Sequence, residues 1–424
     1  IALRKFSKNK KITMKIGFIG MTHLGLNYLA ATARRKFNVY GLDESKNKIE
    51  RYKSFDFSIS EPKLKKVITQ NKNKINFTSN FNDIKKMDLI FISLDVETDS
   101  IGKSKDKPLL KLIKKVKKYS KKNAELVILS QVKPGFTRNI NFQKKKLYYQ
   151  VETLVFGEAV ERANNPERII VGLEKKNTSL GKNYKKFLNS FKCPIIKMNY
   201  ESAELTKITI NIFLASSVTV SNTMARLCKQ ISADWFDIVP ALKLDKRIGP
   251  FAYVKPGLGI SGGNLERDLF TAKILAKKDK HSLSLINSFI NNSKFMKNWV
   301  LRVINSEIKN QKIGIFGLTY KDKTNSIKNS PTIKLLKSLK KNKVLVFDPN
   351  VKLKTNFNNV IQVKNFRDLI DKCKILIFMT NWKNTQYIKK YMNKKNLKKT
   401  IIVDPNNLID ANDTKFKKHF KLGK

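Results

Sequence analysis

Acidic residues are scarce in this chain, and so are cysteine and histidine. Its 424 residues hold 33 Asp and Glu against 87 Lys and Arg, a formal charge of +54. The three cysteines, Cys193, Cys228 and Cys373, form no CxxC pair and no even framework. That excludes a disulfide scaffold and leaves buried, reduced thiols as the expectation. Three scattered histidines, His23, His281 and His419, cannot build a histidine-based metal site at any usual spacing, so no metal is expected. Apolar runs are short as well. None approaches the roughly 18–20 uninterrupted residues of a membrane span. The basic stretch Ile1–Thr13 lacks the apolar segment of a secretory signal, and Met14 is a candidate start. The expectation is a soluble cytoplasmic protein with no membrane partner.

The lysine excess first suggests a polyanionic partner such as nucleic acid. Against that, the lysines run along the whole chain instead of forming one block. Lys, Asn and Ile are also raised together, as an AT-rich genome produces. No specific nucleic-acid partner is expected, because such charge bears on solubility and nonspecific binding. Steering of a doubly charged substrate phosphate is the remaining use.

Hydrophobic residues make up 41% and aromatics 10%, enough to bury sizeable cores. The length favours two or three domains. Apolar runs at 15–19, 39–43, 88–94, 126–129 and 168–172 read as buried strands. Leu26, Leu29, Ala30 and Ala33, and later Leu109, Leu112, Ile113 and Val116, recur at helical spacing. From Ser202 to Ile231 one long helix is expected, with Leu205, Ile208, Ile212 and Met224 along it, and a second begins near Asp234. The stretch 245–268 is a Gly- and Pro-rich loop, and 269–308 returns to helix. A new series of strands occupies 312–316, 343–348, 374–379 and 400–404. Alternating strand and helix predicts an α/β fold. Two Rossmann-like, doubly wound parallel-sheet domains flank a helical middle, with boundaries at 14–197, 198–300 and 301–424.

The turn Gly20-Met21-Thr22-His23-Leu24-Gly25 sits between the first strand and helix, where a dinucleotide fingerprint belongs. Its glycines allow a tight turn and point a helix N-terminus at a pyrophosphate. Thr22 replaces the middle glycine, so the motif alone is weak. Asp43 closes the second strand about twenty residues on, where a carboxylate accepts the ribose hydroxyls and repels a 2′-phosphate. Lys48 lies five residues later and is placed to cover that ribose or a phosphate. NAD is favoured over NADP.

Further motifs come in order: Glu61-Pro62-x-Leu64, Val132-x-Pro134-Gly135-x-Thr137, and Asn165-Pro166-Glu167-Arg168-Ile169. Glu204-Leu205-x-Lys207-x-x-x-Asn211 lies on the long helix. Asp245-x-Arg247-Ile248-Gly249 leads to Pro256-Gly257-x-Gly259, Gly262-Gly263 and Asp268. Gly317-Leu318-x-Tyr320-Lys321, Ser330-Pro331, Asp348-Pro349 and Thr380-Asn381-Trp382 close the set. In this order they resemble the UDP-glucose/GDP-mannose dehydrogenase family from Met14 onward.

The resemblance implies two successive hydride transfers from a sugar C6 to NAD, a nucleotide-sugar substrate with UDP favoured, and a homodimer formed through the helical middle. It implies catalytic roles for Lys207 and Asn211, which hold a water and a developing alkoxide, for Asp268 as base on that water, and for Glu152 in the hydrolytic step. Glu204, Lys207 and Asn211 share one helix face. Arg247 resembles an arginine that reaches the substrate across the dimer, and Gly259, Lys321 and Lys328 stand in the substrate-binding segments. Lys328 replaces an arginine, and lysine lacks the bidentate fork.

One departure bears on the chemistry. The family nucleophile is a cysteine two residues after Gly-Gly; alignment from Pro256 or from Asp268 puts Asn264 there, a shift of one puts Leu265 there, and neither is a nucleophile. Asparagine forms no thiohemiacetal or thioester. Val96 and Gln131 replace threonines that approach the NAD, and Val151 and Phe156 alter the segment around Glu152. Three readings stay open: a dehydrogenase working without a covalent intermediate, a nucleotide-sugar oxidoreductase with a non-acid product, and a non-catalytic binding protein. Joint retention of Glu152, Lys207, Asn211 and Asp268 weighs against the last.

Overall fold

The computed structural model describes residues 14–57, 59, 61–99, 104–261, 263–307, 311–320, 322, 324, 326–327, 329–353, 357–382, 385–409 and 416–423. They form two compact units, one of residues 14–97 and 104–207, the other of 98–99 and 208–423. Ile1–Thr13, Gly262, Lys321 and Lys328 lie outside the described residues.

The first unit is built on strands β1 (Lys15–Ile19), β2 (Asn38–Leu42), β3 (Ile75–Thr78), β4 (Leu89–Ile92), β5 (Glu125–Ile128), β6 (Leu147–Gln150), β7 (Ile169–Leu173) and β8 (Ile195–Asn199). They lie in the order β3-β2-β1-β4-β5-β6-β7-β8. Every pair is parallel except β6 and β7, which run antiparallel, a departure from the all-parallel expectation. The central strands are apolar because helices cover both faces. On one face, Leu26, Leu29, Ala30 and Ala33 of helix His23–Arg34 pack with Tyr184 and Phe187. On the other lie Leu109, Leu112, Ile113 and Val116 of helix Lys107–Tyr119. Burying each of the larger of these side chains contributes on the order of 1.5–3 kcal/mol.

The second unit carries β9 (Ile313–Phe316), β10 (Val344–Phe347), β11 (Val360–Gln362), β12 (Ile375–Phe378), β13 (Ile401–Asp404) and β14 (Lys418–Lys421). Their order is β11-β10-β9-β12-β13-β14, all parallel. Helices Gly263–Leu275, Lys280–Lys297 and Trp299–Glu307 precede this sheet.

Both sheets thus contain the 3-2-1-4-5-6 strand order of a dinucleotide-binding sheet, which places a crevice where the order reverses. The same device closes each turn there. Gly20 has φ +101°, and Leu94 N lies 2.8 Å from where a Cβ would stand. Gly317 has φ +103°, with Thr380 N at 2.8 Å. Asp43 accepts from Met21 N at 2.9 Å, and Asp348 accepts from Leu318 N at 2.8 Å. Phe18 stacks on Phe91 with centroids 4.8 Å apart, and Phe316 on Phe378 at 4.5 Å.

Helix Tyr200–Gln230 is long and apolar enough to cross a membrane by length and composition alone. Its buried face nonetheless includes Glu204, Lys207 and Asn211, with Ile208. Leu205 and Met224, two of the apolar residues that marked it in sequence, face solvent.

An added Cβ at Gly317 meets backbone and a left-handed φ together. Gly317→Ala is expected to destabilise the second unit by about 1–3 kcal/mol. Gly257→Ala, where a Cβ meets nothing within 4 Å, serves as the control and should leave the melting profile unchanged. Indistinguishable calorimetric profiles for the two variants would remove this steric account.

Candidate active site

At the carboxyl end of β1 the backbone turns at Gly20 into the helix that starts at His23. Close packing of helix on strand requires Gly25, since a Cβ there would stand 2.8 Å from Ser93 Oγ. Thr22 does not stand over the turn. Its Oγ1 donates to Ser93 O at 2.9 Å and leaves the helix without a side-chain cap. The helix therefore presents its first-turn N–H groups, with no acidic side chain in that turn, to an anion. Leu24 is buried beneath it.

Asp43 is buried at the end of β2, where Oδ2 accepts from Met21 N and Oδ1 from Ser45 N at 3.1 Å. Lys48, expected to cover a ribose or phosphate, places Nζ 2.8 Å from Asp43 Oδ2. Gln131 and Val96, both buried, stand after β5 and β4. Glycine turn, open helix start and strand-end aspartate together fit a dinucleotide.

Sequence reasoning missed the clamp beside this turn. Glu61 is buried and accepts from His23 Nε2 at 2.8 Å, Gly157 N at 3.1 Å and Ala159 N at 2.9 Å. Burial pushes its pKa up, but the bonds from His23, Gly157 and Ala159 outweigh that and hold the carboxyl below its ordinary value. The ring of His23 stacks on Phe156, centroids 4.1 Å apart. The signal was the Glu61-Pro62 motif, which spacing alone did not connect to residues 156–159.

Along helix Tyr200–Gln230 the three polar residues of one face take different work. Glu204 accepts from Gly135 N at 2.6 Å and Thr137 N at 2.8 Å, so it pins the Pro134-Gly135 turn. Desolvation raises its pKa despite these bonds. Lys207 makes a buried ion pair with Glu152, Nζ to Oε1 3.0 Å. The other Glu152 oxygen accepts from Leu154 N at 2.9 Å.

Asn211, one turn further on, donates through Nδ2 to Asp268 Oδ2. Asp268 is buried on helix Gly263–Leu275, and Arg267 Nε lies 3.5 Å from its other oxygen. The same guanidinium donates from Nη2 to Asn264 Oδ1 at 3.3 Å. Asn264 is exposed at the helix start. Arg267 was not singled out in sequence, although it occupies the middle of the family's Pro-Lys-Asp triplet. Gly259 backs onto helix Lys280–Lys297, 2.6 Å from its missing Cβ to Ser293 O. Arg247 is 89% exposed and folds onto Asp245, Nη2 to Oδ2 2.6 Å.

Family models match in three successive stretches. The NAD binding domain of the UDP-glucose/GDP-mannose dehydrogenase family matches residues 14–191, its central domain 201–293 and its UDP binding domain 314–411. The UDP-glucose 6-dehydrogenase of Rickettsia bellii is 28% identical over 421 residues, 94% of this chain and 96% of its own. The structure of a UDP-glucose dehydrogenase from Pyrobaculum islandicum is similar with TM-score 0.84 at 20% identity, covering 100% of this chain and 99% of its own. A UDP-D-ManNAc dehydrogenase from Pyrococcus horikoshii gives TM-score 0.80 at 20% identity, covering 97% and 99%.

Because the folded-state pKa of Glu61 lies below its unfolded value, the stability it contributes is complete above the unfolded carboxyl pKa of about 4.3 and is lost as pH falls through the folded one. Glu61→Gln should cost about 1–3 kcal/mol at neutral pH. In urea melts the gap to wild type should stay level from about pH 6 to 8 and close below about pH 4. A gap independent of pH would mean that the charge on Glu61 contributes nothing.

Proposed function

Since the chain belongs to the UDP-glucose/GDP-mannose dehydrogenase family, whose members are NAD-dependent dehydrogenases of nucleotide sugars, we propose that it oxidises the C6 hydroxyl of a UDP-sugar. One observation carries the reading. Two inward positions a single turn apart on one helix, Lys207 and Asn211, each engage a buried carboxylate, Glu152 and Asp268. A non-catalytic binder has no use for that arrangement. We assign residues 14–197 to NAD, 301–424 to the nucleotide sugar and 198–300 to dimerisation.

NAD, when bound, accepts the hydride that leaves C6. Gly20, Gly25 and the start of helix His23–Arg34 hold its pyrophosphate, with Thr22, His23 and Leu24 as the turn, while Asp43 takes the ribose hydroxyls and Lys48 balances that charge. Gln131 flanks the same cofactor. Asp268 organises the water that removes the hydroxyl proton, and Asn211 fixes its carboxylate. The Lys207 ammonium stabilises the developing alkoxide, with Glu152 setting its position. Arg247, Gly259, Lys321 and Lys328 bind the nucleotide sugar.

Asn264 alters the second half of the reaction. With no thiol there, the aldehyde is not captured covalently. It either leaves as product or adds water to give a hydrate. The hydrate's second hydride and proton then depart as the first did, with Glu152 aiding the addition of water to the aldehyde. The first outcome is a non-acid product, and Asn264 is the residue that favours it.

Incubation with NAD and UDP-sugars, with product mass and NADH counted, separates the outcomes: two NADH per sugar for the acid, one for the aldehyde. Lys207→Ala in a protein that still melts cooperatively should lower kcat by about 10²–10³, and Asn264→Cys should raise acid yield from the aldehyde. No turnover of any nucleotide sugar, or a thioester trapped on Cys193, Cys228 or Cys373, would refute the mechanism.

A homodimer through the helical middle is part of this reading. Phe213, Val220, Met224, Leu227 and Ile231 recur at intervals of 7, 4, 3 and 4 and are exposed, 71% at Phe213 and 75% at Ile231. Such a stripe fits a second copy of the same helix. Sedimentation should give a dimer in wild type and a monomer for Phe213→Lys/Ile231→Lys. A wild-type monomer with full activity would exclude it.

A further inference from the structure

The carboxylate of Glu61 joins two parts of the first unit that are far apart in sequence. One is the start of helix His23–Arg34, and the other is the loop 151–158 that carries Glu152. Two of its three donors are the backbone N–H groups of Gly157 and Ala159. The third is the imidazole of His23, the first residue of that helix. The Glu61 side chain is fully buried, and that of His23 is 11% exposed. An ionised carboxylate only accepts, so His23 carries a proton on Nε2. The face of the same ring stacks on Phe156.

The tie continues to Glu152. Ala159 opens helix Ala159–Asn164, and Arg162 on that helix donates through Nε to Thr153 O at 3.0 Å. Glu158 N closes a turn onto Val155 O at 3.0 Å, with Gly157 at φ +88°. Thr153 adjoins Glu152, whose two oxygens meet Lys207 Nζ and Leu154 N. Ala159, Val160 and Ala163 also lie in one core with Leu26, Leu29 and Ala30 of helix His23–Arg34. A clamp that served the loop alone would need only backbone donors. Its third donor comes instead from the residue whose own helix end is left open to an anion. Unpartnered helix ends fray, and an anion bound there fixes the first turn. Fixing that turn fixes the His23 ring, and with it the carboxylate and the loop tied to the ring.

We infer that His23 and Glu61 are positioning residues: a dinucleotide held at the start of helix His23–Arg34 orders the loop 153–157 and so sets Glu152 against Lys207. The coupling rests on the reading above, in which the phosphates of NAD lie at this turn and Glu152 serves the reaction. Neither residue touches the reacting atoms. Their effect reaches the chemistry through the loop.

Hydrogen–deuterium exchange of the full chain, read by mass spectrometry with and without NADH, tests the coupling. In wild type, NADH should slow exchange across 153–157 by about threefold or more. His23→Phe keeps a ring against Phe156 but removes the donor to Glu61. It should abolish the slowing, while NADH titrated by its fluorescence still binds within about threefold of wild type, because the glycine turn and Asp43 are intact. His23→Gln retains an N–H for Glu61 and should restore most of the slowing. With a UDP-sugar that turns over, His23→Phe should lower kcat by about tenfold or more and leave the KM for NAD within about threefold. Phe156→Ala repeats the comparison at an exposed position, should also weaken the slowing, and serves where His23→Phe does not fold. No slowing in wild type, or equal slowing in wild type, His23→Phe and Phe156→Ala, would overturn the coupling. So would a fall in kcat that only follows lost NADH affinity. NADH-linked slowing with no nucleotide sugar oxidised would leave the coupling standing and sink the proposed reaction; turnover without the slowing would do the reverse.

Discussion

A parallel strand that turns at once into a helix leaves the first N–H groups of that helix without partners, close to a neighbouring strand. The carboxyl edge of the first sheet depends on how that problem is met, since helix His23–Arg34 follows β1 directly, whereas β9 reaches its next helix only at Pro331. In both sheets, a glycine takes the positive φ, and an aspartate from the end of the second strand accepts the next N–H: Asp43 for Met21, Asp348 for Leu318. In the first sheet, with that N–H satisfied inside the protein, the first turn of helix His23–Arg34 has no side-chain cap and is left open to an anion. In both sheets one hydrogen bond to an aspartate orders the glycine turn.

The long helix Tyr200–Gln230 inverts the usual allocation of side chains. Its early turns bury Glu204, Lys207 and Asn211, while later turns expose Phe213, Val220 and Leu227. The buried polar groups are tolerable because each has a partner within bonding distance; unpaired, any one would cost several kcal/mol. Among the described residues the apolar stripe stays exposed, and that asymmetry motivates a second copy.

The parts of the fold that were legible in sequence are those dominated by apolar burial. Strands β1, β2, β4, β5 and β7, and β9, β10, β12 and β13, are the runs that sequence marked. β3, β8, β11 and β14 were missed because they are short or partly polar, half-exposed segments. β6, Leu-Tyr-Tyr-Gln, was missed for another reason. It is buried, yet reads as polar because the Tyr148 hydroxyl donates to Lys145 O and Gln150 Oε1 accepts from Tyr184. In the site, helical spacing placed Lys207 and Asn211 inward correctly. It could not show that Glu204 serves a loop or that Lys48 pairs with Asp43, since those partners are distant in the chain or compete with a ligand. The same limit hid Glu61, whose partners stand 38 to 98 residues away.

Asn264 has a consequence beyond the product. A dehydrogenase that relies on a thiolate carries a group that peroxide and electrophiles attack first. The remaining thiols here are poor targets: Cys228 and Cys373 are buried, and burial raises the pKa of Cys193 and pushes that of Cys373 up to about 11. The proposed catalytic set of Lys207, Asn211, Asp268 and Asn264 contains no sulfur. On the proposed assignment of Asn264, an amide in place of a nucleophile would remove a covalent intermediate and with it the main point at which oxidative stress silences such a site.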